Sequence, residues 1–385
     1  MKLNKKNWNH IPIGNVVESI EKHDKNPLQN GLSSFVGLEH IDGDSLKIIG
    51  SGSIEEGTTF TKIFQAGDVL FGKRRAYLRK VAVADFSGVC SGDILVLRAK
   101  ESLNSELLPY YASSDSFINY AISTSAGSLS PRTKWRDLSN FEISFPPSDE
   151  QHRIVELFQS IEQSIVHTEA QEKNLRKLCK SLVDAFVSDK PYFGNLLKNK
   201  KLKKVYYRDI AQKLMRRIDP VEYGIERIVA GENLESEDFK IRTWGTVGKD
   251  FLGPAFHVLF QAGDILYGSR RTYLKKVALA DFEGVCANTT YVIKANEEII
   301  LQDLLKHIML SERFTQYSIS VSKGSTNPYI NWKDLDNFVF EIPDLETQKV
   351  IANLLDEILD NAEKVREQKE TLKKLRQKLL NEILG

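Results

Sequence analysis

Two arginine pairs, Arg74-Arg75 and Arg270-Arg271, carry the clearest chemistry in the sequence. A guanidinium can grip a phosphate, or the edge of a guanine, through two parallel hydrogen bonds. Each pair is followed by a tyrosine, Tyr77 or Tyr273, and then by further cations: Arg79 and Lys80 in the first segment, Lys275 and Lys276 in the second. Lys73 precedes the first pair where Ser269 precedes the second, and no acid interrupts residues 73–80. A run of charge is ordinarily solvated surface. This one recurs with its tyrosine in place, which points to an anionic partner. A second group sits in a Ser/Gly/Pro loop before a tryptophan: Ser128, Arg132 and Lys134 in the first copy, and Ser325, Asn327 and Lys333 in the second. Cations for phosphates together with fork-shaped and amide groups for base edges make a nucleic-acid-reading surface. Positions that differ between the copies, such as Lys73 against Ser269, are expected to set sequence preference. Trp135 and Trp332 are expected to anchor the core.

Other chemistries lack their residues. Gly72-Lys73-Arg74 and Gly248-Lys249-Asp250 have neither the hydroxyl residue nor the glycine spacing of a phosphate-binding loop. Gly50-Ser51-Gly52 reads as a turn. Asn327-Pro328-Tyr329 lacks one proline of the adenine-methyltransferase element, and its counterpart is Ser130-Pro131-Arg132. The seven histidines show no metal-ligand spacing. No catalytic residue, cofactor or metal is expected in this chain.

These groups are positioned by a duplicated frame. Phe64–Ser91 returns as Phe260–Ala287, 196 residues later, with 20 of 28 positions identical. A period that long signals two complete domains rather than a solenoid. Asp68–Phe71, Val81–Ala84 and Asp93–Leu97 read as short strands, and Glu106–Tyr120 as one amphipathic helix. Phe141, Ile143 and Phe145 alternate as a closing strand before Pro146-Pro147. Ser148-x-x-Gln151 then reads as a capping box opening a long helix. Its seam is Ile154, Ile161, Leu175 and Leu182, with Phe158 and Ile165 four residues later in the heptad. Asp344 is a plausible cap for a second helix carrying Ile351, Ile358, Val365, Leu372 and Leu379 at the same spacing.

The expected fold is therefore α+β: two tandem mixed α/β domains with two long helices in an antiparallel coiled coil of pseudo-two-fold symmetry. The divisions fall at residues 1–147, 148–190, 191–343 and 344–385. A spacer of about 38 helical residues spans roughly 57 Å at about 1.5 Å each, so the helices are expected to act as a ruler.

Composition agrees with a soluble, cytoplasmic protein: 41% apolar, 27% charged and no apolar run long enough for a membrane span. Cys90, Cys179 and Cys286 form no C-x-x-C pair and read as core residues in a reducing compartment. Net charge is +1, so any basic surface must be local.

Two domains, each with A-G-D-x-L-x-G, R-R-x-Y-L and a closing strand before a proline-led helix, resemble the specificity subunit of type I restriction-modification systems. The last element is PSDEQHRI from Pro147 to Ile154, and it recurs as DLETQKVI from Asp344 to Ile351. The resemblance implies two target recognition domains reading halves of an asymmetric site in double-stranded DNA. It implies helices that dock two modification (methyltransferase) subunits, with restriction/translocase subunits in the full complex. S-adenosylmethionine, ATP and Mg would belong to those partners. The competing reading is a protein-binding scaffold, or a degenerate or inhibitory relative, without specific DNA binding.

Overall fold

The computed structural model describes residues 5–43, 45–250 and 253–385. The chain forms two compact units, one holding the residues up to Thr168 with Glu367–Gly385, the other Glu169–Arg366. Each unit thus contains a globular body, part of the long helix Ser148–Phe186 and part of the long helix Leu345–Leu384.

In the first unit, an antiparallel sheet runs Val17–Ser19, Ile94–Ala99, Val69–Gly72, Val81–Val83. A second sheet runs Gly52–Ser53, Ser34–Val36, Gly88–Cys90, Lys62–Phe64, with its middle pair parallel. Asn9–Pro12 pairs with Glu142–Phe145 as a separate ribbon. Strand residues alternate between faces. Val69 and Phe71 join the core shared with the helices, while Leu70 joins Phe64, Cys90 and Val96 between the sheets. Burial on both faces explains the unbroken apolar run V-L-F. Gly88 is required where two strands close up, because a Cβ there would sit 2.4 Å from the Ser34 carbonyl.

The second unit repeats this plan strand for strand. Its sheets are Ala211–Leu214, Thr290–Ala295, Ile265–Gly268, Val277–Leu279 and Gly245–Thr246, Arg227–Val229, Gly284–Ala287, Phe256–Phe260. The ribbon is Lys203–Tyr206 with Val339–Ile342. The A-G-D turn is structural in both: Asp68 and Asp264 are buried and accept the N–H of Gln65 and Gln261 at 2.8 and 2.9 Å. The three cysteines are free and buried, and burial pushes each thiol up to about 12.

Two local expectations are corrected. The helix expected over Glu106–Tyr120 is broken into Leu108–Ser113 and Asp115–Ser123. Ser114 sits extended at the break (ψ 150°) and caps the second piece by accepting the Phe117 N–H. Ser311 does the same between Gln302–Leu310 and Glu312–Ser320. Secondly, Gln151 is no capping-box partner. Its amide accepts the Asn104 N–H (2.7 Å) and donates to the carbonyls of Ser102 and Pro146. Gln348 likewise accepts from Leu301 (3.1 Å) and donates to Ile299 and Pro343. Asp344 does cap its helix, accepting the Thr347 N–H at 2.8 Å. Its carboxyl is held down to about 2 by that bond and by Lys200.

The seam is uneven. Ile154, Phe158, Ile161 and Ile165 are buried in the first unit beside Leu380, Ile383 and Leu384, with Leu372 and Leu379 half-buried against them. Ile351 is buried in the second with Cys179, Val183 and Phe186, and Ile358 and Leu182 pack alongside. Leu175 and Val365 are only half-buried. Near them the contacts are ionic: Arg176 meets Glu172 at 3.1 Å and Glu363 at 3.8 Å. In that unit Arg176 faces Glu363 while Cys179 approaches the Leu355 carbonyl, so the paired segments run antiparallel. No helix of the described residues is long and apolar enough to cross a membrane.

Candidate nucleic-acid interface

The basic segment begins where the strand Val69–Gly72 ends. Arg75 and Arg79 both take left-handed backbone conformations (φ 54°) around a single 3-10 turn, Ala76–Leu78. Arg271 (49°) and Lys275 (48°) do so around Thr272–Leu274. Left-handed backbone is unfavourable for residues with a Cβ and persists only where surroundings enforce it. Here the enforcing contacts are also duplicated. The Arg75 N–H donates to the Pro131 carbonyl (2.8 Å), as Arg271 does to Pro328 (2.7 Å).

At the other end, Arg79 meets Asp115 at 2.7 Å and the Ser113 carbonyl at 2.9 Å. Lys275 meets Glu312 at 2.8 Å and Glu237 at 3.2 Å. These acids are themselves held by the long helices. Asp115 accepts from Gln377 (2.8 Å) and Asn381, whose side chain accepts the Asp115 N–H. The Glu312 N–H donates to Asp184 at 2.7 Å. Each basic arch is thus tied through acids to a long helix of its own unit: Asp115 in the first, Glu312 and Glu237 in the second, the latter meeting Lys180 at 3.1 Å.

This geometry sorts the residues picked out from the sequence. Arg79, Lys80, Lys275 and Lys276 turn inward. Lys80 donates to the carbonyls of Leu38 (2.6 Å) and Ile41 (2.9 Å), and Lys276 to that of Gly231. Ser269 is buried and donates to the Thr289 carbonyl. A basic run has no periodicity that separates inward from outward cations, so the sequence could not make this distinction.

The remaining residues gather on one exposed arch and hairpin per unit. Tyr77 is 52% and Tyr273 50% exposed, which removes them from the core. Arg75, Ser128, Arg132 and Lys134 are exposed in the first unit; Arg270, Arg271, Ser325, Asn327 and Lys333 are exposed in the second. The hairpin reaches the arch through a backbone bridge, Arg74 to Arg132 in one copy and Arg270 to Tyr329 in the other. Arg271 also donates to the Asn327 side chain at 3.2 Å. Lys73 is half-buried, and burial with neighbouring Lys62 lowers its affinity for a proton. Trp332 is a core anchor, edge-on to Tyr207 and Tyr291, and Trp135 packs against the first core.

The acids that organise these sites were not visible in the sequence. Asp93 lies 39 residues from Arg132 yet accepts its Nε at 2.7 Å, and no local spacing announces such a pair. Among the described residues no group of three or more His, Cys, Asp and Glu side chains is arranged to hold a metal. The surface offers forked cations, hydroxyls, an amide and exposed tyrosines on a rigid backbone, the group set of phosphate and base-edge contacts.

Comparison with known proteins agrees with this chemistry. The model of the type I restriction modification DNA specificity domain matches twice, over residues 5–176 and 222–374. The type I restriction enzyme EcoDI specificity subunit of Escherichia coli is 29% identical over 171 residues, 44% of this chain and 37% of that one. The chain thus matches well under half the length of that relative. The MjaVIII specificity subunit of Methanocaldococcus jannaschii is 23% identical over 345 residues, 83% of this chain and 76% of its own. A chain from a solved structure concerning assembly and conformational transition of the type I R-M system aligns over 99% of this chain and 98% of its own, with a TM-score of 0.59 at 21% identity. The type I restriction-modification S subunit of M. genitalium aligns over 100% and 98%, with a TM-score of 0.55 at 14% identity. With the family model covering most of the sequence in two copies, the chain belongs to the type I restriction modification DNA specificity family, as a specificity subunit with two target recognition domains.

Proposed function

We propose that this chain is the non-catalytic address of a modification and restriction complex, each recognition domain reading one half of a bipartite, asymmetric site in double-stranded DNA. The observation that carries this reading is one rigid arch built twice with different exposed residues. The backbone, the left-handed positions and the acid tether are common to both copies. The hairpin groups differ: exposed Arg132 against exposed Tyr329, and half-buried Ser130 against exposed Asn327. A shared frame positions; differing side chains specify. On this reading the long helices set the distance between half-sites and dock two modification subunits. Those partners supply adenine methylation from S-adenosylmethionine, and restriction subunits supply ATP- and Mg-dependent translocation and cleavage.

The test is long-read mapping of adenine methylation in cells carrying the partner methyltransferase with and without this chain. A bipartite methylated motif that appears only with the chain is expected. No such motif, with the partner bound and active, would make the chain a scaffold.

A further inference from the structure

In the first unit the arch arginine, the hairpin arginine and the turn between two strands meet at one carboxylate. Asp93 accepts Arg132 Nε at 2.7 Å through Oδ1, and Arg132 Nη2 at 3.3 Å and Arg74 Nη1 at 3.4 Å through Oδ2. Ser130 closes the ring: its hydroxyl accepts Arg74 Nη2 at 3.0 Å and its carbonyl accepts Arg132 Nη1 at 3.4 Å. Asp93 is itself anchored, its N–H donating to Ser91 Oγ at 3.2 Å. Its side chain is 21% exposed, against 39% for Arg74 and 46% for Arg132. The acid therefore lies beneath the two guanidinium groups rather than on the surface beside them. Hydrogen bonding from Arg132 outweighs burial and keeps its carboxyl below the ordinary range, so the charge persists.

The second unit lacks this device. The sequence S-G-D ending at Asp93 becomes A-N-T ending at Thr289, so a hydroxyl replaces the carboxylate, while the backbone carbonyl accepts an N–H in both copies, from Lys73 and from Ser269. Tyr329 replaces Arg132, and among the described residues no hydrogen bond or ion pair joins a carboxylate to Arg270.

We propose that Asp93 is a positioning residue for sequence reading by the first domain alone, fixing the planes of Arg74 and Arg132 for base-edge contact and disfavouring their collapse onto phosphate. This rests on the bipartite reading above. Two long side chains fixed before binding lose less freedom on contact than free ones. A half-buried negative charge between them also opposes indiscriminate approach of the polyanion, and repulsive elements of that kind are a source of specificity.

The experiment is methylation mapping with the assembled complex carrying D93N, an isosteric change that leaves the amide unable to accept from both arginines as a charge. Wild type run in parallel tests the bipartite reading itself; if it yields no two-part motif, that reading fails first. Given a wild-type motif, D93N is expected to relax one or two positions of the first half-site by roughly tenfold, the scale of a lost bidentate base contact. The second half-site should stay unchanged, which also reports an intact complex. Binding of the complex to unrelated duplex should tighten. An unaltered first half-site, equal relaxation of both halves, or loss of all modification would each overturn the assignment, the last two by making Asp93 a general stabiliser.

Discussion

Gln151 and Gln348 hold the first turn of each long helix to the body in front of it. Each buried amide satisfies one N–H and two carbonyls. Replacing such a group strands buried partners rather than merely deleting bonds. Gln348→Ala is expected to destabilise the protein by about 2–3 kcal/mol, read as a lower urea midpoint. A loss below about 0.5 kcal/mol, the range of ordinary surface changes, would mean that water substitutes freely. Both glutamines were legible as part of a repeated motif, but Gln151 was misassigned, because a side chain three residues inside a helix suits a local cap equally well. The same limit applied to the arch. Arg74, Arg75, Arg270 and Arg271 were legible from repetition, whereas the inward duty of Lys80 depends on the carbonyls of Leu38 and Ile41, about 40 residues away.

The long helices show what periodicity can and cannot reveal. Existence, length and common register followed from residues seven apart. The burial of Val183, Leu380 and Leu384 did not. Those residues face a globular body as well as the partner helix, and a seam pattern describes only one face. The polar stretch at Arg176 and Glu363 is where the second body meets the pair through charge rather than apolar contact, Arg242 donating to Glu363 at 2.8 Å. Burial predicts the energetics. Phe158→Ala, at a fully buried site stacked on Tyr110 (4.6 Å), should cost about 3–5 kcal/mol. Leu175→Ala, half-buried and outside every core cluster, should cost no more than about 1 kcal/mol, near the average for point changes. Denaturant titration of both variants checks this, and equal losses would contradict the uneven seam.

For the molecule as a whole, duplication was the most legible feature, because two copies of one frame announce themselves in any alignment of the chain with itself. What alignment with itself does not reveal is how the helices are divided, since each compact unit takes part of both. The divisions after Thr168 and after Arg366 fall at nearly equivalent points of the two helices. Inserting seven residues at each point retains the heptad and leaves the contents of each unit intact. On the proposed reading this lengthens the spacer by about 10 Å, or about three base pairs. Methylation mapping should show both half-sites conserved and the gap between them enlarged. An unchanged gap would remove the helices as the measure of spacing.

The acid tether from long helix to arch has an evolutionary consequence. The two copies share the tether, the glutamine anchor and the strands beneath the arch, while the hairpin carries private residues such as Arg132 and Tyr329. A gene built this way can trade one half for another lineage's by recombination within the shared helical segment. The newcomer arrives with its own recognition surface and meets familiar attachment points. New addresses can then arise by shuffling, without waiting for point mutations to rebuild a scaffold.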